Sequence, residues 1–158
     1  MSEWQNYAEL VFRENSALAE LGTAALNLTQ ALIANDPDAI EHAERHLEAW
    51  RLRHAAAYTE RTGMQRRGFG ELTLAQVASY APPALRARLN AAAHEMHTRT
   101  IALQLTVSNN KALILAGLER LARTVAFMQK VGTEQTGTYR RRGIIPPPDG
   151  SVIVSRRA

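Results

Sequence analysis

The stretch ALIANDPDAI, residues Ala31–Ile40, joins two segments that share one apolar rhythm, and its reading decides the fold. Pro37 cannot sit inside a helix, because it lacks an N–H and its ring clashes with the preceding turn. Asn35-Asp36-Pro37 therefore reads as a stop followed by a start. Asp36 is placed to cap a new helix, and Pro37 takes its first position, where the missing N–H costs nothing. Upstream, Trp4, Tyr7, Val11, Leu18, Leu21, Ala25, Leu28 and Leu32 keep an alternating three-and-four spacing that only Glu14 interrupts. Downstream, Ile40, Ala43, Leu47, Trp50, His54 and Ala57 repeat it. That period lays one stripe along a helix and turns it toward a partner. Glu3–Ala34 and Pro37–Thr62, so closely linked, are predicted to form an antiparallel helical hairpin. Gly63 is the expected left-handed residue at its end.

Residues 63–82 lose the rhythm. Gly68, Gly70 and Arg66-Arg67 read as loop, and Thr73 caps one short helix, Leu74–Tyr80. Pro82-Pro83 ends that segment and opens the last long one, roughly Pro83–Lys130. This third helix carries two stripes. One is Leu103, Val107, Ile114, Leu118, Leu121, Val125 and Met128, and the other is Ile101, Leu105, Ala112, Leu115, Ala122 and Ala126. A hairpin partner covers only one of them. Either a three-helix core buries both, or a face is left for another protein's amphipathic helix. Gly132 and Gly137 are expected to end the helix, and TGTYRRRGIIPPPDG, Thr136–Gly150, follows as a basic tail. Ser151–Val154 is a candidate strand, alone or paired with Ile144-Ile145, or a segment ordered only on binding. The fold expected is all-α: an antiparallel bundle of three long helices plus a short one, residues 1–131, with a C-terminal tail over 132–158.

Composition agrees with packed helices. Of 158 residues, 46% are hydrophobic but only 6% aromatic, so the chain buries a core rich in alanine and leucine. Cysteine is absent, which excludes disulfides, thiol catalysis and cysteine-ligated zinc, and fits the cytosol. The start, MSEWQNYAEL, is polar and acidic and does not read as a signal peptide. No apolar run approaches the roughly 18 residues of a membrane span. The net charge of +4 divides unevenly: residues 1–60 carry −6, residues 61–128 carry +6, and residues 129–158 carry +4. An acidic first half and a basic second half suggest that the two pack together, a layout that selects register more than it adds stability. Only the short tail offers a basic face, so nucleic acid is not an expected partner.

Candidate chemistry is thin. His42 and His46 in HAERH share a helix face at a spacing that can hold a metal, but the order is not HExxH and no third ligand is evident. His94 and His97 in HEMH are one residue short of that motif, and His54 falls on a core-facing position. Gly68-Phe69-Gly70 is a lone GxG with no strand before it and no P-loop lysine. No nucleophile elbow or carboxylate pair appears, so neither an enzyme nor a bound cofactor or metal is expected. Tyr139 stands apart as an aromatic anchor in a polar segment, beside Arg140–Arg142.

The ordered set of features resembles the FlgN-type flagellar export chaperones. AYTERTG at the second helix's end is followed by ELTLAQVA, then SNNKALILAGLERLARTVAFMQ in one long helix, then TYRRRGIIPPPDG. The likeness spans nearly the whole chain. Family members often place glycine directly after the tyrosine, where this chain has RRRGIIPPP. The resemblance implies a cytosolic, non-catalytic helical protein. Such a protein binds the C-terminal helical segments of hook–filament junction proteins and blocks their premature assembly. It hands them to the cytosolic domain of the export-gate membrane protein. Client binding would fall to Leu103, Val107, Asn110, Ile114, Leu118, Leu121 and Val125, and gate docking to Tyr139. Asn110, polar on an apolar seam, is also a residue that fixes register. A self-associating helical bundle, or homodimer, is the alternative reading of the same stripe, and a tail that binds acidic surfaces is a third.

Overall fold

The computed structural model describes residues 2–142, with side chains through Gly132. Four helices follow in order: α1 Glu3–Ala34, α2 Pro37–Phe69, α3 Leu74–Tyr80 and α4 Pro83–Arg142. Every described element is helical. Ser2 opens α1 with a capping box. Its hydroxyl accepts from the Gln5 N–H at 3.3 Å, and the Gln5 side chain accepts from the Ser2 N–H at 2.9 Å. Asn35 closes α1 in the left-handed region, φ 53°, and Asp36 caps α2 by accepting from Asp38 and Ala39 N–H at 3.1 Å. The two helices then run antiparallel. Arg13 meets Glu60 at 2.8 Å, while Leu28 and Ala31 pack on Ala43 near the turn. The predicted stripes on both helices face inward, and none of their residues is exposed.

α2 does not end at Gly63. It continues through it to Phe69, and Gly70 closes it with φ 68° and ψ −141°, a conformation open essentially to glycine alone. The physical reason is tertiary. Met64 and Phe69 pack on the main core, and Gln65 is buried against α1, so packing outweighs glycine's cost of roughly 1 kcal/mol in a helix. Phe69 lies against Trp4 and Tyr7, with ring centroids 4.8 and 5.3 Å apart. A second capping box, Thr73 with Gln76, starts α3, whose Val77 and Ala78 join Tyr7, Val11, Leu18, Leu89 and Met96 in the core.

The first part of α4 packs alongside α1 in the same direction, completing an up-down-up arrangement. Asn15 Nδ2 donates to Glu95 at 2.9 Å, Arg99 donates to the Asn15 carbonyl at 3.2 Å, and Asn110 reaches Ala25 and Thr29. The seam that packs is Leu85, Leu89, Ala92, Met96, Arg99, Leu103, Thr106, Asn110 and Leu113, none of them exposed. It keeps a strict three-and-four spacing but includes three polar residues. Of the two stripes expected on this helix, only Leu103 lies in it. Ile101, Leu105, Val107, Ile114 and Leu115 are exposed, so a three-helix core does not cover both stripes.

The chain forms two compact units, Met1–Leu115 and Ala116–Ala158. In the second, α4 continues to Arg142, past Gly132 and Gly137, which were expected to end it. A formed helix adds residues at small cost each, and two glycines do not stop it. The expected strand at Ser151–Val154 and its pairing with Ile144-Ile145 lie outside the described residues.

Candidate functional site

In the second unit, Leu118, Leu121, Val125 and Met128 recur at three- and four-residue spacing, one above another along α4. Leu118 is 57% exposed, Leu121 60% and Met128 66%. Side chains so spaced share one face, because a helix turns once in 3.6 residues. Phe127 is also open, at 67%. It lines a shallow depression with Ala116, Glu119, Arg120, Arg123 and Thr124. Glu119 and Arg123 form an exposed ion pair at 3.6 Å, a contact worth at most about 1 kcal/mol. The ladder is therefore an uncovered apolar face, and the depression with Phe127, Arg120 and Arg123 lies on the opposite side of the same helix. The ladder's chemistry is that of a binding surface for an amphipathic helix.

In the first unit, Val107 and Ile114 are exposed apolar positions, as the client-binding reading requires of them. Leu103 is half-buried against the core instead. Asn110 is turned inward rather than to the surface, at 5% exposure. Its Nδ2 donates to the Ala25 carbonyl at 3.0 Å, and its Oδ1 lies 2.7 Å from the Thr29 hydroxyl. That hydroxyl also lies 3.1 Å from the Ala25 carbonyl, and its single proton serves one of the two at a time. Asn110 thus ties α4 to α1. Tyr139 falls on the last turns of α4, and its side chain lies outside the described residues. Met128 extends the expected set, and Phe127 is an exposed apolar side chain on the opposite face of the helix. Met128 was visible in the stripe, whereas Phe127 sits off its spacing and was not.

A buried polar network holds α1, α2 and the loop before α3 together. Glu14, the one break in the first stripe, is buried and paired with Arg61, whose Nε donates to one carboxylate oxygen and whose Nη2 donates to the other at 3.4 Å. This pair crosses the division between acidic and basic halves. Arg61 Nη1 donates to Gln65 Oε1 at 2.6 Å, the Tyr7 hydroxyl donates to the same oxygen at 2.7 Å, and Gln65 Nε2 donates to the Leu72 carbonyl. No described buried side-chain polar atom lacks a partner. Burial pushes the Tyr7 hydroxyl above its ordinary pKa, with the Arg61 charge pulling against it. Burial alone would loosen the Arg61 proton, but the hydrogen bond and charge of Glu14, with Tyr7 beside it, hold its pKa above the ordinary value.

The histidines serve locally. His46 Nε2 accepts from the Trp50 indole at 3.2 Å, and His54 is half-buried on α2. Among the described residues, no three His, Asp or Glu side chains gather in a metal-binding arrangement. α1 is long and apolar enough to cross a membrane by length and composition. Its apolar face is the bundle's core, with Tyr7, Val11, Leu18, Leu21 and Leu28 all buried.

No curated protein and no solved structure matches this chain. The FlgN protein family model matches residues 1–146, all but the last few residues of the chain. With an all-helical fold and an uncovered apolar helix face, the chain belongs to the FlgN family of flagellar export chaperones, a chaperone rather than an enzyme family, whose members bind flagellar proteins.

Proposed function

We propose that this chain binds the C-terminal helical segments of hook–filament junction proteins in the cytoplasm, keeps them from assembling early, and presents them to the cytosolic domain of the export-gate membrane protein. The carrying observation is the ladder Leu118, Leu121, Val125 and Met128, exposed on a helix with no cover. A segment destined to polymerise with its own kind shows an apolar helical stripe, and shielding it needs a partner with a spare stripe. Val107 and Ile114 are proposed client contacts of the first unit. Leu103 and Asn110 support the site from inside by fixing how α4 sits on α1. Tyr139 is proposed as the gate-docking anchor.

The test is co-purification with a junction protein, whole and without its C-terminal segment. Binding to the whole protein and loss on truncation are expected; unchanged binding of the truncated form overturns the reading. Leu118→Asp with Leu121→Asp should weaken the complex at least about 30-fold, the effect of losing one interface hot spot of ~2 kcal/mol. Tyr139→Ala should keep the client and weaken gate docking.

A further inference from the structure

We infer that Gly117 determines specificity in the client site: it leaves a notch at the border of the Leu118–Met128 ladder for a large apolar side chain of the client helix. The inference rests on the client-binding reading above and names what that client presents. Three observations carry it. First, among the described residues nothing calls for glycine at this position. Gly117 lies inside α4, outside the left-handed region, and a methyl group added there meets no atom within 4 Å. Yet glycine inside a helix is less favourable than any residue but proline. Second, Gly117 stands at the edge of the ladder. It directly precedes Leu118, 57% exposed, and lies about one turn before Leu121, 60% exposed. Thr124 continues the same border and Ala122 lies on the other, so small side chains flank the large ones on both sides.

Third, no described charge borders the ladder. Residues 116–132 hold four charged side chains, Glu119, Arg120, Arg123 and Lys130. At about 100° per residue, each lies about 120° or more around α4 from the middle of the ladder. What the site offers a partner is relief: ridges at Leu118, Leu121, Val125 and Met128, and a gap at Gly117. When two helices pack, the ridges of one fill the gaps of the other. The partner is then chosen by where its large apolar side chains fall, and the charge on its flanks is indifferent.

The probe is the C-terminal helical segment of a junction protein, as a synthetic peptide, titrated against the full chain. Gly117→Leu and Gly117→Ala are compared with Ala116→Leu, a control on the opposite side of the helix, where Ala116 lines the depression with Phe127. Circular dichroism and tryptophan fluorescence report the fold. Both Gly117 variants bring in a better helix former, so helix content should hold or rise. Gly117→Leu should nevertheless weaken the peptide at least about 10-fold, the effect of overfilling a packed contact. Gly117→Ala should bind no tighter than the unmodified chain, and Ala116→Leu should stay within about 2-fold of it. Between about 0.15 M and about 1 M salt the unmodified chain's affinity should change less than about 3-fold, and a larger change overturns selection by shape. Unchanged binding by Gly117→Leu, or tighter binding by both Gly117 variants in step with helix content, overturns the inference and leaves the client reading standing. A shift in the oligomeric state of Gly117→Leu with peptide affinity unchanged assigns the notch to a contact between copies and overturns it too. Failure of the peptide to bind the unmodified chain overturns both readings.

Discussion

Glu14 is where a single residue says most about the fold. In the sequence it only breaks a stripe; in the structure it is a buried carboxylate held by Arg61. Two charges removed from water are expensive, and their mutual attraction repays that cost only when every polar group is paired. Here Gln65, Tyr7 and the Leu72 carbonyl complete the pairing. Arg61→Ala leaves Glu14 buried and alone, and should cost about 3–5 kcal/mol in urea unfolding. Replacing both, Glu14→Leu with Arg61→Met, should cost far less or even stabilise. If the double variant is as unstable as Arg61→Ala, the unpaired charge is not the cause. Tyr7 adds a pH signature. Its pKa is raised on folding, so the folded state holds that proton more tightly. Its contribution is complete below the ordinary tyrosine value of about 10 and is lost as pH rises through the raised value. Stability should therefore fall above about pH 10, and Tyr7→Phe should flatten that fall. The same variant should lose about 1 kcal/mol at neutral pH for the missing hydrogen bond. An unchanged alkaline slope would remove Tyr7 from the account.

The elements differ in how far the sequence disclosed them. α1 and α2 announce themselves, because their packing faces are nearly all apolar and Asn35-Asp36-Pro37 marks the joint. α4 misleads for a physical reason. Its inward seam carries Arg99, Thr106 and Asn110, each satisfied by a hydrogen bond that sequence cannot reveal. Its most apolar stripe faces water. Periodicity locates faces, not their partners. The end of α2 was missed for a related reason, since Gly63 signals a stop that packing by Met64, Gln65 and Phe69 overrides. The candidate site was legible as a stripe, yet Leu103 and Asn110 within it belong to the interior. Two substitutions separate seam from surface. Asn110→Ala should cost about 1–3 kcal/mol, as a buried hydrogen-bonded group is removed. Val107→Ala, on an exposed position, should stay within about 0.5 kcal/mol. Equal effects on chemical unfolding would mean that α4 packs on α1 by another face.

At the scale of the whole molecule, the packed core and the open Leu118–Met128 ladder lie in different units. The buried core, from Tyr7 to Met96, lies wholly in Met1–Leu115. Among the second unit's residues with described side chains, 116–132, all are exposed except half-buried Val131. A helix without a packed face relies on propensity alone, which is marginal in water at such lengths. Its stability is therefore expected to fall below that of the bundle. The chain's two tryptophans, Trp4 and Trp50, both sit in the first unit, so fluorescence follows the bundle alone, whereas circular dichroism at 222 nm follows all helices. In urea, the dichroism signal should begin to fall before fluorescence changes, and the two curves should part, breaking two-state behaviour. Leu121→Asp should leave the fluorescence midpoint in place, while Leu89→Ala, in the core, should lower it by the equivalent of about 2–5 kcal/mol. Adding the client segment should bring the two curves back together, because a partner that covers the ladder stabilises only the helix that lacks a core. Coincident curves in the absence of client would show that residues 116–132 fold with the bundle, and the division of labour between the units would fall.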